Sequence, residues 1–371
     1  MRILLVCEAF QALGGLREAV DSLACEFLRA SHSVAVASVY APYRNDRIVR
    51  AKVDCFPIKL PRWKPVTWRH PERFFRRPNP AELKSVISDW RADVVNLHGG
   101  VWERFPMVIA ACRAAGASAV ITFQSASYAG TWGVQALGSL KDAAALTAVS
   151  EGAKGYLQDL SPPMRTARVI PNGVDCELLR AATPFHRARP YIFCAARLYL
   201  QEKAVDVLVR GFSLIAREHP EVDLLIAGDG PDRPVIERLA AECGLGGRVE
   251  LLGFKSQEEL SSLYKGALLF AMPSRFREGL PLVFLEAMAA GLPSIGTRIG
   301  GVPEVVLEGR TGLLIEENVP EELARHLRTL LDSADTRERM SRSALEVAIQ
   351  YDWPGIAARY LEVYAKAAPG R

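Results

Sequence analysis

No run of 18 apolar residues occurs in this 371-residue chain, which excludes an apolar membrane-spanning helix of ordinary length. None of the seven cysteines stands in a CxxC pair, and their number is odd. That speaks against a disulfide framework, a zinc knuckle or a redox dithiol. Cys7 and Cys194 end or sit in apolar runs (LLVC, YIFC), so buried thiols in a reducing compartment are expected. Charge of one sign is not in marked excess: the net charge is +4, which by itself does not call for nucleic acid. The six-residue G-x-G-x-x-G dinucleotide pattern is missing, which argues against NAD. Internal repeats and low-complexity tracts are absent. The first apolar run, Ile3 to Val6, is too short for a secretory leader and is closely followed by Glu8. The expected setting is therefore the cytoplasm.

What is present is an ordinary globular composition, 49% hydrophobic and 24% charged, in a chain long enough for two domains. Its most informative stretch is Arg275 to Gly291, RFREGLPLVFLEAMAAG. Pro281 suits the first turn of a helix and Gly291 its stop. The residues between are apolar nearly all round, so the helix should be buried. It nevertheless carries Glu286, and a buried carboxylate needs partners. A second carboxylate, Glu278, stands just ahead of it. There, free helix amides and a positive field suit anions.

The rest of the chain alternates short apolar runs with helical periods. Ile3 to Val6 reads as a buried strand, Gly14-Gly15 as a loop, Glu18 to Ala30 as a helix and Ser33 to Val39 as the next strand. Val94 to Leu97 leads into His98 and Gly99-Gly100, again a strand followed by a glycine loop. A second alternation begins at Tyr191. It includes Arg197, the loop Gly228-Asp229-Gly230-Pro231, and Gly253-Phe254-Lys255 after the strand Val249 to Leu252. The polar, proline-flanked segment Thr183 to Pro190 is the expected linker. This pattern predicts an α/β chain of two Rossmann-like domains facing each other across a cleft. Residues 1–182 form the first domain, 183–352 the second, and 353–371 a final helix crossing back. Between Tyr40 and Pro80, basic residues such as Arg44, Arg62, Lys64, Arg73, Arg76 and Arg77 far outnumber Asp46, Asp54 and Glu72. Trp63, Trp68, Phe74 and Phe75 are interleaved. The segment reads either as a solvated basic loop or as a surface for anionic headgroups or an anionic acceptor. No nucleic-acid motif accompanies it.

In combination these residues resemble the family 4 glycosyltransferases of GT-B fold, the retaining kind with an E-x7-E motif. Glu278 and Glu286 are separated by seven residues. Ala196-Arg197-Leu198 with Lys203, Gly228-Asp229-Gly230-Pro231, Leu252-Gly253-Phe254, Gly291-Leu292-Pro293 and Gly300-Gly301-Val302-Pro303-Glu304 also match. In the first half, Gly14-Gly15, His98, Val149-Ser150-Glu151 and Pro171-Asn172-Gly173-Val174-Asp175 are similar. The resemblance implies transfer of a sugar from a nucleotide-sugar donor to a hydroxyl acceptor, with no cofactor and no protein-bound metal. It implies that Arg197, Lys203 and the amides near Glu278, Gly279 and Leu280 meet the leaving diphosphate. Such groups supply the positive charge that a departing diphosphate demands. By the same resemblance Glu286 holds the ribose, Glu278 the donor sugar, and Gly14-Gly15 approach the diphosphate. Gly253, Phe254 and Lys255 frame the base, and His98 faces the reacting sugar or acceptor. His98, Arg197, Lys203 and Glu278 form the expected catalytic set.

The sequence departs from the pattern in two places. Gln124 stands where many relatives carry a histidine. The gap from Arg197 to Lys203 is one residue longer than the commonest spacing, with Lys203-Ala204 in place of Lys-Gly. A glycosidase-like pair of carboxylates is disfavoured, because eight helical residues span about 12 Å whereas a retaining pair needs about 5 Å. A GT-B epimerase, a phosphorylase and a catalytically silent sugar-nucleotide binder are the alternative readings. Attachment to the inner face of a membrane through residues 44–77 is a further expectation.

Overall fold

The computed structural model describes residues 1–7, 14–38, 52–58, 80–99, 104–124, 136–276 and 278–368. Most of the basic stretch 44–77 lies outside them. The chain divides into two compact units, residues 1–172 with 353–371 and residues 173–352.

The first unit is built on a seven-stranded sheet whose spatial order is β3-β2-β1-β4-β5-β6-β7. The strands are β1 Arg2–Cys7, β2 Ser33–Ser38, β3 Asp54–Pro57, β4 Val94–Gly99, β5 Ser118–Phe123, β6 Ala145–Ala148 and β7 Arg168–Val169. All neighbours run parallel. Parallel strands need crossovers that cover both faces, which is why β1 and β4 are apolar runs rather than alternating ones. Helices Gly15–Arg29, Pro80–Asp89 and Phe105–Ala115 provide crossovers. The final helix, Trp353–Ala367, belongs to this unit and buries Trp353, Ile356, Tyr360 and Tyr364. Its tyrosines enter a polar network in an otherwise apolar core. Asn96 Nδ2 donates to the Tyr364 hydroxyl at 2.5 Å, and Thr122 Oγ1 donates to Asn96 Oδ1 at 2.9 Å. Thr122 and Thr147 also meet through their hydroxyls at 2.7 Å and bond the Tyr360 hydroxyl. Buried polar groups are tolerated when each has a partner, and this chain of partners fixes the helix against the sheet.

The second unit carries a six-stranded sheet in the order β10-β9-β8-β11-β12-β13. Its strands are β8 Tyr191–Ala195, β9 Asp223–Ala227, β10 Val249–Gly253, β11 Leu269–Met272, β12 Ser294–Thr297 and β13 Gly312–Ile315. They too are parallel throughout. The ends of the unit are stapled together. Val174 N–H donates to Tyr351 O at 2.8 Å, and Cys176 N–H donates to Asp352 Oδ1 at 3.2 Å.

Several local expectations change. The division falls at 172/173, ten residues before the expected 182/183, because the short helix Cys176–Ala181 packs on helices Gln257–Gly266 and Leu282–Ala289. The segment Thr183 to Pro190 therefore lies within the second unit, where Phe185 N–H bonds Ser262 O at 2.9 Å. Not all thiols are buried. Cys7, Cys112, Cys176 and Cys194 are, whereas Cys55 is exposed on β3 at the end of the sheet order, Cys25 is half-buried on a helix, and Cys243 is half-buried at the C-terminal cap of helix Arg233–Glu242.

Candidate active site

In a doubly wound sheet, ligands bind beyond the carboxyl ends of the strands, where the strand order reverses. In the second unit that point lies between β8 and β11. The loop after β8 carries Arg197 and Lys203, and the loop after β11 carries Ser274 and Glu278. Residues distant in sequence are thus brought together by topology.

Each loop is held in several places. Ala196 N–H bonds Ala227 O at 3.0 Å and Leu198 N–H bonds Asp229 O at 3.0 Å. The glycines of Gly228-Asp229-Gly230 allow this approach. A Cβ at Gly228 would lie 1.9 Å from Ala196 O, and one at Gly230 would lie 2.3 Å from Leu198 O. The motif therefore supports the Arg197 loop from beneath. Lys203 forms an antiparallel bridge with Ser274, and Ala204 N–H bonds Pro273 O at 3.0 Å. Arg275 clamps the two loops. Its guanidinium grips both oxygens of Asp206, at 2.6 and 2.7 Å, and donates to Leu200 O at 2.8 Å. The Asp206 carboxylate holds the Arg275 guanidinium above its ordinary pKa. A bidentate fork of this kind fixes orientation as well as distance.

Within this frame Lys203 Nζ pairs with Glu278 Oε1, which also accepts from Ser274 Oγ at 2.9 Å. Both side chains are mostly buried, 13% and 15% exposed. Arg197 is 56% exposed and paired with Glu202 at 2.6 Å. The Glu278 backbone is fixed as well, since Gly301 N–H bonds its carbonyl at 3.1 Å. A Cβ at Gly300 would lie 2.0 Å from that same oxygen. The Gly300-Gly301-Val302-Pro303 turn is therefore a close-packing support for Glu278.

The helix after Glu278 runs Leu282–Ala289, with Pro281 as its cap residue rather than in its first turn. Pro281 has a ψ of 123°, extended rather than helical, so Glu278 lies in a loop and not on the helix of Glu286. The estimate of their separation from helical rise consequently does not apply. Glu286 is 8% exposed. Its Oε1 accepts from Gln257 Nε2 at 2.9 Å and its Oε2 from the Tyr264 hydroxyl at 2.9 Å, so side chains are among its partners. Burial and the neighbouring Glu286 push the Tyr264 phenol well above its usual pKa, which keeps it a donor. Burial pushes the nearby Cys194 thiol up to about 12, with Lys203 opposing. At the end of β10, Gly253 accepts at 2.8 Å from Gly228 N–H, Phe254 is 59% exposed, and Lys255 pairs with Glu259 at 3.2 Å. Gly279 and Leu280 are buried between Glu278 and the helix.

The first unit has its own reversal, between β1 and β4. His98 lies at the end of β4 and pairs in register with Cys7 of β1. Gly14 caps helix Gly15–Arg29, and open space surrounds the position a Cβ would take there. His98 is fully buried, and burial lowers its pKa to about 3, so it is neutral. Its Nδ1 lies 3.3 Å from Gln124 Nε2, and its ring packs 5.8 Å from that of Tyr360. Among the described residues its Nε2 has no hydrogen-bond partner.

Sequence reasoning did not single out Asp206, Gln257, Tyr264 or Ser274, or assign a role to Arg275. Gln257 and Tyr264 are seven residues apart, which puts them on one helical face, but nothing in the chain says that this face meets Glu286. No cluster of three or more metal-ligating side chains occurs among the described residues.

Two parallel-sheet Rossmann-like units in one chain define the GT-B class of α/β proteins. Solved structures share the whole fold. Anabaena HepE in complex with UDP-glucose superposes with a TM-score of 0.82 at 18% identity, covering 98% of this chain and 99% of that one. Sucrose-phosphate synthase from Thermosynechococcus elongatus gives a TM-score of 0.81 at 19% identity, covering 99% and 98%. The model of the glycosyl transferases group 1 matches residues 176–347, and that of glycosyltransferase family 4 matches residues 13–178. The two glycosyltransferase models match in succession, one over each half of the chain, and together reach from residue 13 to residue 347. It is 32% identical over 231 residues to a GDP-mannose-dependent alpha-(1-6)-phosphatidylinositol monomannoside mannosyltransferase of Mycobacterium tuberculosis, 58% of this chain and 60% of that protein. It is 36% identical over 172 residues to a D-inositol 3-phosphate glycosyltransferase of Corynebacterium efficiens, 44% of this chain and 40% of that protein. The alignments thus span 60% or less of these relatives.

Proposed function

We propose that this protein is a retaining glycosyltransferase that moves a sugar from a nucleotide-sugar to a hydroxyl acceptor without a protein-bound metal or other cofactor. The observation that carries the reading is the grouping of Arg197, Lys203 and Glu278 where β8 and β11 diverge. A nucleoside diphosphate leaving group develops negative charge, and a guanidinium fork and an ammonium answer it. Glu286, held by Gln257 and Tyr264, has the character of a ribose ligand: an oriented carboxylate with lone pairs to offer to hydroxyls. Gly253, Phe254 and Lys255 take the base, and Gly279 and Leu280 offer amides to the diphosphate. Donor recognition is assigned to residues 173–352. Acceptor recognition, with His98, is assigned to residues 1–172, while Gly14-Gly15 keep their reading as donor-binding residues.

In this mechanism the bond from the anomeric carbon to the diphosphate oxygen breaks while the acceptor oxygen bonds to the same face. The acceptor proton passes to a donor phosphate oxygen. The HepE complex with UDP-glucose and the mycobacterial relative's name support a nucleotide-sugar as donor class. The relative's lipid-linked acceptor supports a second proposal: the basic stretch 44–77, mostly outside the described residues, attaches the enzyme to an anionic surface. No helix among the described residues is long and apolar enough to cross a membrane.

The test of the site is single replacement, Arg197→Ala and Glu286→Ala, with transfer measured using the donor that a thermal-shift screen of UDP-, GDP-, ADP- and TDP-sugars selects. Both variants should lose transfer by at least about a hundredfold, the loss of one charged contact of about 3 kcal/mol each. Near-normal turnover in both would remove the assignment. Liposome co-sedimentation with and without anionic lipid tests the basic stretch. Unchanged partitioning of a variant neutralised at Arg73, Arg76 and Arg77 would reject it.

A further inference from the structure

We propose that Gln124 is a positioning residue that holds His98 in a single neutral tautomer, proton on Nε2. That makes His98 an obligatory hydrogen-bond donor toward whatever oxygen the site presents to it. The inference rests on the glycosyltransferase reading for its consequence in turnover, but not for its geometry.

β4 and β5 are parallel neighbours with His98 opposite Thr122, so the residues that end both strands emerge side by side. Gln124 N–H bonds Gly99 O at 3.3 Å, continuing the ladder one step beyond the strands. Its side chain thereby reaches back, and Nε2 lies 3.3 Å from His98 Nδ1. An amide nitrogen donates only. Nδ1 must therefore accept, and in a neutral imidazole that leaves the proton on Nε2. His98 is fully buried and its Nε2 lacks a partner among the described residues. A buried donor left unmatched loses its water without compensation, so its retention points to a ligand that supplies the missing acceptor. Burial keeps the ring neutral through the physiological range, so a second proton does not blur the choice. Tyr360 holds the ring from the final helix, at 5.8 Å between centroids, while its own hydroxyl is engaged by Thr122 and Thr147.

The occupant that fits a neutral N–H in a buried position is an uncharged or partly charged oxygen, as in a sugar or acceptor hydroxyl. A histidine or carboxylate at position 124 would change the bargain. A carboxylate would accept from Nδ1–H and turn Nε2 into an acceptor, or hold the ring as imidazolium.

The experiment is nitrogen NMR on the full chain labelled at its histidines, with the His98 signal recognised as the one that does not titrate near pH 6.5 and that disappears in His98→Asn. The wild type should show a pyridine-like Nδ1 and a protonated Nε2. Gln124→Leu should give a mixture of tautomers, and Gln124→Glu should move the proton to Nδ1 or charge the ring. A wild-type ring protonated at Nδ1, or a tautomer unchanged in both variants, overturns the proposal. In transfer assays Gln124→Glu should lower kcat about tenfold, one hydrogen bond's worth, with the donor KM unchanged. Unchanged kcat in Gln124→Glu overturns the positioning role. If no donor supports any transfer, the functional reading fails by itself, while the tautomer measurement still decides the geometry.

Discussion

Lys203 and Glu278 are each costly to bury alone and are buried as a pair. Removing one leaves the other charge uncompensated. Lys203→Met should therefore destabilise the protein by about 3 kcal/mol, as an ordinary structural ion pair would. The double variant Lys203→Met, Glu278→Gln should recover much of that loss without recovering transfer. Urea titration of the three proteins checks the first expectation, and a donor-binding assay the second. His98 adds a pH signature. Its folded pKa, about 3, lies below the unfolded value near 6.5. Above pH 6.5 both states are neutral and the group is silent. As pH falls from 6.5 towards 3, only the unfolded chain takes up the proton. Stability is thus lost at a slope approaching about 1.4 kcal/mol per pH unit, levelling below the folded pKa. Unfolding of wild type and His98→Asn across this window should differ in slope, and parallel curves would contradict the burial argument.

Among the connecting elements, the glycine loop after β9 carries the clearest consequence. Gly228 has a φ of 120°, and a Cβ there would meet Ala196 O at 1.9 Å. Gly228→Ala must push the backbone under Arg197 aside. We expect lower melting temperature and at least about a tenfold loss of donor affinity, about 1.4 kcal/mol. Gly155 is the control. It sits inside the helix Glu151–Leu160 with nothing near its missing side chain. Gly155→Ala should raise stability by about 0.5–1 kcal/mol through helix propensity alone. Calorimetry on the two variants reads both signs. The Arg275 clamp belongs to the same scale. Lysine keeps the charge but not the fork, so Arg275→Lys should raise the donor KM with little change in cooperative unfolding.

At the scale of the molecule, the chain passes from the first unit to the second and returns for one helix. That helix brings Trp353, Tyr360 and Tyr364 into the first unit's core. The second unit is closed on itself by the Val174–Tyr351 and Cys176–Asp352 bonds and has its own buried sheet. Residues 173–352 expressed alone should therefore fold cooperatively and bind nucleotide-sugars. By contrast, a chain ending at residue 352 should lose the first unit's cooperative melt. A fragment 173–352 that stays unfolded by amide hydrogen exchange would show that the division is geometric and not energetic.

Local order in this protein was legible from the chain. Short apolar runs followed by glycine loops announce parallel strands with ligands at their ends, and Ile3 to Val6 and Val94 to Leu97 formed such strands. The all-round apolar helix Leu282–Ala289 with its lone Glu286 was equally plain, because burial of a helix is written in its own periodicity. Pairing was not. That Glu286 meets Gln257 and Tyr264, that Arg275 grips Asp206, and that Gln124 faces His98 depend on which strands lie side by side. Strand order is set by the packing of the crossovers rather than by any one segment. The ends of elements were also beyond reach: Cys176–Ala181 packs with the helices of the second unit, and only that packing moved the division to 172/173. The sequence by itself determined which segments become strands, helices and glycine turns, since backbone sterics and apolar periodicity act locally. The tertiary structure alone decided which charges and hydrogen bonds are shared, since those require residues far apart in the chain to lose water together.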